Sequence, residues 1–374
     1  MRVVAGSQLL TVGQRIRDTY EVDRYLGEGA FAEVYRVQHS FLGKQAMKVF
    51  KAPGLSVDEV RGWLDEAVLL SKLGHPNIIR VFDANTFAIR GRTYGYFTME
   101  YVAGGSLDRF WQSHRNRYIP LTTALEIFKQ ACRGAAVAHA ESPPVVHRDI
   151  KPHNILIGYD KEGLIVRLSD FGLAKSVNQL TLLASTKGTF LFKSPEALID
   201  LQQDSTAGDV WALGTTMYLI LTDRVPYPPR KGESVHSSKR FRTDLVPASY
   251  YNYQVSKELD RVLCKSLCCD PQRRYPDALS LLEELEKLSE DSRPERVKKT
   301  KETMIDSSKS ALGIYTPADG QEAQRKAQRA IELAKQASKL HEAADLMEEA
   351  INQWPTLKDE YQYRLILWRK GLLM

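Results

Sequence analysis

The stretch from Val145 to Ile157, VVHRDIKPHNILI, sets two histidines, an arginine, an aspartate, a lysine and an asparagine between apolar ends. Those ends predict short buried strands, so the polar middle is expected to be a loop that the core holds in place. A second candidate lies upstream in LGEGAFAEV, Leu26 to Val34. Gly27 and Gly29 carry no Cβ to keep backbone amides away from an anion, which suits a phosphate. A dinucleotide-binding turn would need a helix directly afterwards, whereas VYRVQ has the character of a strand. Further on, Lys48 ends an apolar strand segment. An ammonium there is costly unless an anionic group pairs with it, the plainer alternative being a lysine that reaches the surface.

The elements that must position these groups follow from periodicity. From Tyr20 to about Lys51, short β-rich runs separated by glycines predict a twisted antiparallel sheet. SVDEVRGWLDEAVLLSKL then has Ser56 as a helix N-cap and Val60, Trp63, Leu64, Ala67 and Leu70 at helical spacing. Strands return through GHPNIIRVFDANTFAIRGRTYGYFTMEYV, and from Leu107 to about Ser289 the pattern is mainly helical. A strand-rich part followed by a helix-rich part predicts two lobes with a cleft between them. Residues 290–320 are polar and charged and read as a linker. Beyond Gln321, Ala327, Ala330, Ile331 and Ala334, then Ala343, Leu346, Met347, Ala350 and Ile351, predict a separate helical appendage.

Taken in order, the glycine loop, Lys48, the run from His147 to Asn154 and Asp170-Phe171-Gly172 resemble the motifs of eukaryotic-like protein kinases. The resemblance covers about residues 20–289, after an N-terminal extension of residues 1–19. It implies an α+β, bilobal kinase fold, with a β-rich lobe at 20–101 and a helical lobe at 102–289, followed by a small all-α hairpin or bundle at 321–374. It further implies that Asp149 orients and deprotonates the attacking hydroxyl, that Asn154 and Asp170 hold Mg2+, and that Lys48, fixed by Glu66, grips the phosphates of ATP while Lys151 meets the γ-phosphate. ATP would be enclosed by Leu26, Gly27, Gly29, Val34, Ala46, Lys48, Met99, Glu100, Val102, Leu156 and Asp170, with Met99 as gatekeeper and Glu100 to Val102 as the hinge. Ser194-Pro195-Glu196, Asp209 and Arg274 match structural positions of the family, and His147 is expected to pack beneath the loop of Asp170. Three positions depart from the pattern: Ala32 replaces the third glycine, Ser106 stands where an acidic residue often meets ribose, and Ser194 stands for alanine.

The segment KGTFLFKSPEAL between Asp170 and Asp209 favours a protein acceptor over a small molecule, and Lys151-Pro152 and Thr189 resemble the serine/threonine pattern. The style of the first lobe is similar to bacterial members. Arg148 is expected to receive a phosphate placed on Thr181, Ser185 or Thr186. The alternative is a pseudokinase or scaffold acting through nucleotide binding and the tail. HEAADLMEEAINQWP resembles a tetratricopeptide hairpin, a three-helix bundle being the equal alternative, and Met347, Trp354, Leu365 and Trp368 are candidate contacts for a protein partner or a second copy.

The bulk numbers exclude other classes. The chain has 374 residues, 43% hydrophobic and 26% charged, which is ordinary for a globular protein. Its formal charge of +6 is spread along the chain, which gives no ground for nucleic-acid or membrane binding. No apolar run approaches the roughly 18 residues of a membrane span, and the N-terminus lacks a secretory pattern, so a cytoplasmic protein is expected. Cys264, Cys268 and Cys269 lack a fourth ligand for zinc and are expected to be buried by helix packing.

Overall fold

A computed structural model describes residues 8–51, 67–89, 91–114, 119–161, 163–171, 189–200, 203–229, 234 and 237–290. In the tail it describes 317–336, 339–353 and the separate positions 357, 361, 364, 365 and 368. The chain forms two compact units, residues 1–295 and 296–374. Glu66, Ser56, Thr181, Ser185, Thr186 and Trp354 lie outside the described residues.

In the first unit six strands form one antiparallel sheet. They are β1 (Arg15–Ile16), β2 (Tyr20–Glu28), β3 (Ala32–His39), β4 (Gly43–Phe50), β5 (Val81–Ile89) and β6 (Arg92–Glu100), in the order β1-β2-β3-β4-β6-β5. The two-residue period of a strand sorts side chains onto two faces. Tyr20, Val22, Tyr35, Val37, Met47, Val49, Tyr94 and Tyr96 form a core on one face. Ala32, Ala46, Phe50, Phe97 and Met99 join the main core, which continues into the helical lobe. Strand β4 is therefore buried on both faces, and Lys48, between Ala46 and Phe50, belongs to the face shared with the second lobe.

Residues 8–19, outside the domain as the sequence bounds it, are tied to this sheet. Leu10 is fully buried in the outer core, β1 pairs with β2, and the Leu9 N–H donates to the Glu33 carboxylate at 2.9 Å. The Tyr35 hydroxyl accepts the Leu10 N–H at 3.0 Å and itself donates to Glu33.

The helical lobe contains α1 (Leu107–Gln112), α2 (Leu121–His139), the hairpin of β7 (Ile155–Asp160) and β8 (Gly163–Leu168), α3 (Pro195–Ile199), α4 (Thr206–Thr222), α5 (Lys257–Ser266) and α6 (Ala278–Glu290). From Asp209 to Thr222 every residue of α4 is buried, the signature of a helix apolar all round at the centre of a lobe. Ser205 caps its start by accepting the Gly208 N–H at 3.1 Å, and Asp223 ends it in the left-handed conformation.

Three expectations are corrected. Val145 and Val146 run as coil, because the Val145 N–H donates to the Ala138 carbonyl in the last turn of α2 at 2.9 Å and the His147 N–H to Asp209 of α4, not to a neighbouring strand; only Ile155 to Ile157 lie in a strand. Cys264 is exposed and Cys268 and Cys269 are half-buried, since the buried side of α5 is lined by Leu259, Val262, Leu263 and Ser266. In the tail unit the first helix, α7 (Pro317–Leu333), begins before Gln321, with proline favoured at a helix start. It is followed by α8 (Leu340–Gln353), and Ala327, Ala330, Ala343, Met347, Ala350, Leu357, Tyr361 and Trp368 share one small core.

Candidate active site

The loop from His147 to Asn154 is built around one buried carboxylate. Asp209, from the first turn of α4, accepts the His147 N–H at 2.6 Å, the Arg148 N–H at 2.9 Å and His139 Nε2 at 3.0 Å. Because His139 Nδ1 accepts the Ala278 N–H, its proton sits on Nε2 and points at Asp209. Burial opposes ionisation of Asp209, but these donors outweigh it and hold its carboxyl below the ordinary aspartate range. The bonds fix Arg148 at φ +69°, a left-handed conformation that a residue with a side chain seldom adopts.

Asp149 follows. Lys151 Nζ lies 2.8 Å from its Oδ2 and 3.1 Å from its Oδ1. Asn154 Nδ2 donates to the Asp149 carbonyl at 2.8 Å and to its carboxylate at 3.0 Å. With the amide nitrogen engaged, the Asn154 oxygen is the end available to a hard cation. Ser169 donates its backbone N–H to the Asn154 carbonyl at 2.9 Å, which brings Asp170, at φ +63°, beside the loop. The His147 ring is buried and packs on Phe171 with centroids 4.3 Å apart. Burial pushes its pKa below the ordinary histidine value, so it stays neutral and serves as packing.

From the sheet, Lys48 makes an ion pair with Asp170, joining the two lobes. Burial works against the charge on Asp170, but Lys48, with help from Lys151, holds its carboxyl below the usual value. The strand register sets Lys48 opposite Val34 on β3 and Ala46 opposite Met99 on β6. Leu26, Val34, Val102 and Leu156 are partly buried against the core that contains Ala46 and Met99. Glu100 accepts from Arg167 Nε at 3.0 Å. A Cβ on Gly27 or Gly29 would meet nothing within 4 Å, so packing does not require these glycines and the space above them is open. Gly104 differs: a Cβ there would sit 2.3 Å from the Ile157 carbonyl oxygen, so the chain between β6 and α1 lies against β7 only because residue 104 has no side chain. The open glycine turn, the Lys48 ammonium and the anionic Asp170 beside Asn154 fit a nucleotide phosphate chain with a divalent cation.

Two roles go beyond what the motifs imply. Ser106 is the N-cap of α1, with its hydroxyl accepting the Arg109 N–H at 3.4 Å, a role that serine before a short helix could have suggested. Lys193 is buried and bonds Asp204 and the Arg148 carbonyl, and nothing in the sequence points to it. Nearby, Thr189 opens a short turn, Thr189–Leu191, and Glu196 meets Arg274 through two bonds of 2.6 Å, with the Arg274 side chain fully buried.

A two-lobed fold with this site is that of a protein kinase, and the protein kinase domain family matches residues 20–285. The chain belongs to that family. It is 31% identical over 273 residues to the serine/threonine-protein kinase PrkC of Bacillus subtilis, covering 72% of this chain and 40% of that one. To the serine/threonine-protein kinase PknB of Mycolicibacterium smegmatis it is 30% identical over 317 residues, covering 83% of this chain and 48% of that one. The chain thus spans less than half the length of these relatives. The crystal structure of the PknI kinase domain of Mycobacterium tuberculosis shares the fold, with a TM-score of 0.55 at 23% identity, covering 75% of this chain and all of that one. Among the described residues no helix is long and apolar enough to cross a membrane, and no three His, Cys, Asp or Glu side chains cluster as a metal site. A magnesium site made of one aspartate, one asparagine and phosphate oxygens needs no such cluster.

Proposed function

We propose that this chain is an ATP-dependent protein serine/threonine kinase that phosphorylates protein hydroxyls, its own included, in signalling. The carrying observation is the convergence of Asp149, Lys151 and Asn154 from one lobe with the Lys48–Asp170 pair across the cleft. Phosphoryl transfer asks the protein for positioning and for neutralisation of charge rather than for covalent chemistry. Asp149 orients the acceptor hydroxyl and takes its proton. Lys151, held on the Asp149 carboxylate, carries a positive charge to the transferred group. Lys48 binds the inner phosphates, and Asn154 and Asp170 supply the oxygen ligands for Mg2+, which when bound neutralises the phosphate oxygens. Glu66 is assigned as the partner of Lys48, and Thr181, Ser185 and Thr186 as acceptors of an activating phosphate read by Arg148.

The kinase domain is assigned to residues 20–289, and the linker expected at 290–320 to the part of that stretch before α7, which begins at Pro317. Residues 321–374 are assigned as a docking module for a protein partner or a second copy, a tetratricopeptide-like hairpin being one form it can take. Its alanine-rich core supports this, since small side chains bury little surface by themselves. The test is transfer of labelled γ-phosphate from Mg-ATP to protein. Asp149→Asn should lower transfer by about 10³-fold, a loss of the kind seen when a group acting in the transition state is removed, with the melting temperature preserved. Labelling of the variant at the wild-type rate would refute the assignment.

A further inference from the structure

We propose that Lys193 is a positioning residue for Asp149, acting through the carbonyl of Arg148. This rests on the kinase reading and adds to it a residue that lies in none of the motifs.

Lys193 immediately precedes Ser194, the N-cap of α3. Its ammonium lies 2.9 Å from the Arg148 carbonyl oxygen and 3.0 and 3.1 Å from the two carboxylate oxygens of Asp204. An ammonium has three protons, and three acceptors surround this one. Both side chains of the pair are only 8% exposed, and burial lifts the Asp204 carboxyl above its ordinary value against the pull of Lys193.

The consequence for Asp149 is geometric. The Arg148 carbonyl and the Asp149 N–H belong to one rigid peptide plane. Lys193 holds the carbonyl end of that plane, and His147 Nδ1 accepts from the N–H end at 3.3 Å. The preceding plane is held by Asp209 at the Arg148 N–H. Arg148 is therefore gripped on both sides at φ +69°, and the direction in which Asp149 leaves the backbone is set by those grips. Lys193 follows directly on the turn Thr189–Leu191 and Phe192, so it transmits the placement of this segment to the catalytic loop. A buried lysine–carboxylate pair is in general no better for stability than an apolar pair of similar size. What an apolar pair cannot do is bind the carbonyl.

That difference supplies the test, made on the full chain with Lys193→Met and with Lys193→Met/Asp204→Leu. The single variant leaves Asp204 buried without its partner and should melt lower. The double variant removes both charges and should regain most of the melting temperature. If Lys193 positions Asp149, both variants keep the KM for ATP within about twofold and lose kcat by about tenfold or more, the scale of a small misplacement of a reacting group. A double variant that regains the wild-type kcat together with its melting temperature would show a merely structural ion pair and overturn the proposal. Should the double variant not fold, Lys193→Met assayed well below its own melting temperature decides: kcat equal to wild type overturns the proposal, and a lowered kcat with unchanged KM supports it. A wild-type chain that transfers no phosphate would overturn the kinase reading and this proposal with it, whereas active wild type matched by the double variant overturns the proposal alone.

Discussion

Replacing Asp209 by asparagine is a nearly isosteric change whose cost can be worked from three bonds. Oδ2 accepts from His147 N–H and His139 Nε2, and Oδ1 from Arg148 N–H. An asparagine has one acceptor oxygen, and the arrangement that keeps most bonds puts it at the Oδ2 position. Its NH2 group then faces the Arg148 N–H, donor against donor. That N–H and the amide are left unsatisfied in a site that is 2% exposed. At about 1–3 kcal/mol for each buried unsatisfied group the loss is about 2–6 kcal/mol, a large part of the roughly 5–15 kcal/mol that holds a domain. For a unit of this size it lowers the melting temperature by roughly 5–20 °C. Thermal unfolding followed by circular dichroism measures it. The folded-state carboxyl of Asp209 is held below the unfolded value of about 3.9, so its contribution is fully present above that pH and is lost as pH falls towards the folded value. The asparagine variant should therefore lack this part of the acid-side decline. A variant that melts within about 1 °C of wild type, with the same acid limb, would refute the view that Asp209 organises the loop.

Two further perturbations follow from packing and charge. Gly104→Ala brings a Cβ to 2.3 Å of the Ile157 oxygen, far inside contact distance, and must push the segment between β6 and α1 off β7 and strain the bond from Ile157 N–H to the Gly105 carbonyl. It should destabilise by about 1–3 kcal/mol and raise the KM for ATP in a peptide phosphorylation assay. Glu196→Gln leaves the fully buried guanidinium of Arg274 without its counterion and should cost about 3–5 kcal/mol in urea unfolding, as removal of one partner of a buried pair does.

What the sequence made legible is the chemistry that is dense in a short span. Asp149, Lys151 and Asn154 lie within six residues and bond one another, so their types and spacing were sufficient to place them in one group, whatever role each has. Lys48 and Asp170 are 122 residues apart, and their meeting follows only from the fold that the motifs jointly imply. Lys193 was not legible, because a lysine before a helix looks like any surface lysine until Asp204 and the Arg148 carbonyl are brought around it. The same holds for Leu10, whose burial depends on a wall of tyrosines contributed by three strands. Ser106 was read only as a departure from the acidic residue that often meets ribose, although its local position, one residue before a helix, marks it as a cap. The coil at Val145–Val146 shows the limit of apolar runs as signals, since burial and strand pairing are different things.

The N-terminal segment against the sheet has a consequence for what counts as the module. Similarity to the kinase family begins at residue 20, yet Leu10 and Ile16 are 0% and 2% exposed in the outer core of the sheet. Burying two such side chains contributes about 3–6 kcal/mol. A polypeptide begun at Tyr20 would take Leu10 and Ile16 out of the core they share with Tyr35, Val37 and Tyr96, and deprive Tyr35 of the Leu10 N–H and Glu33 of the Leu9 N–H. The stretch that the family match covers and the stretch that folds thus have different first residues: recognition is bounded by motifs, and folding by where the last apolar face is covered.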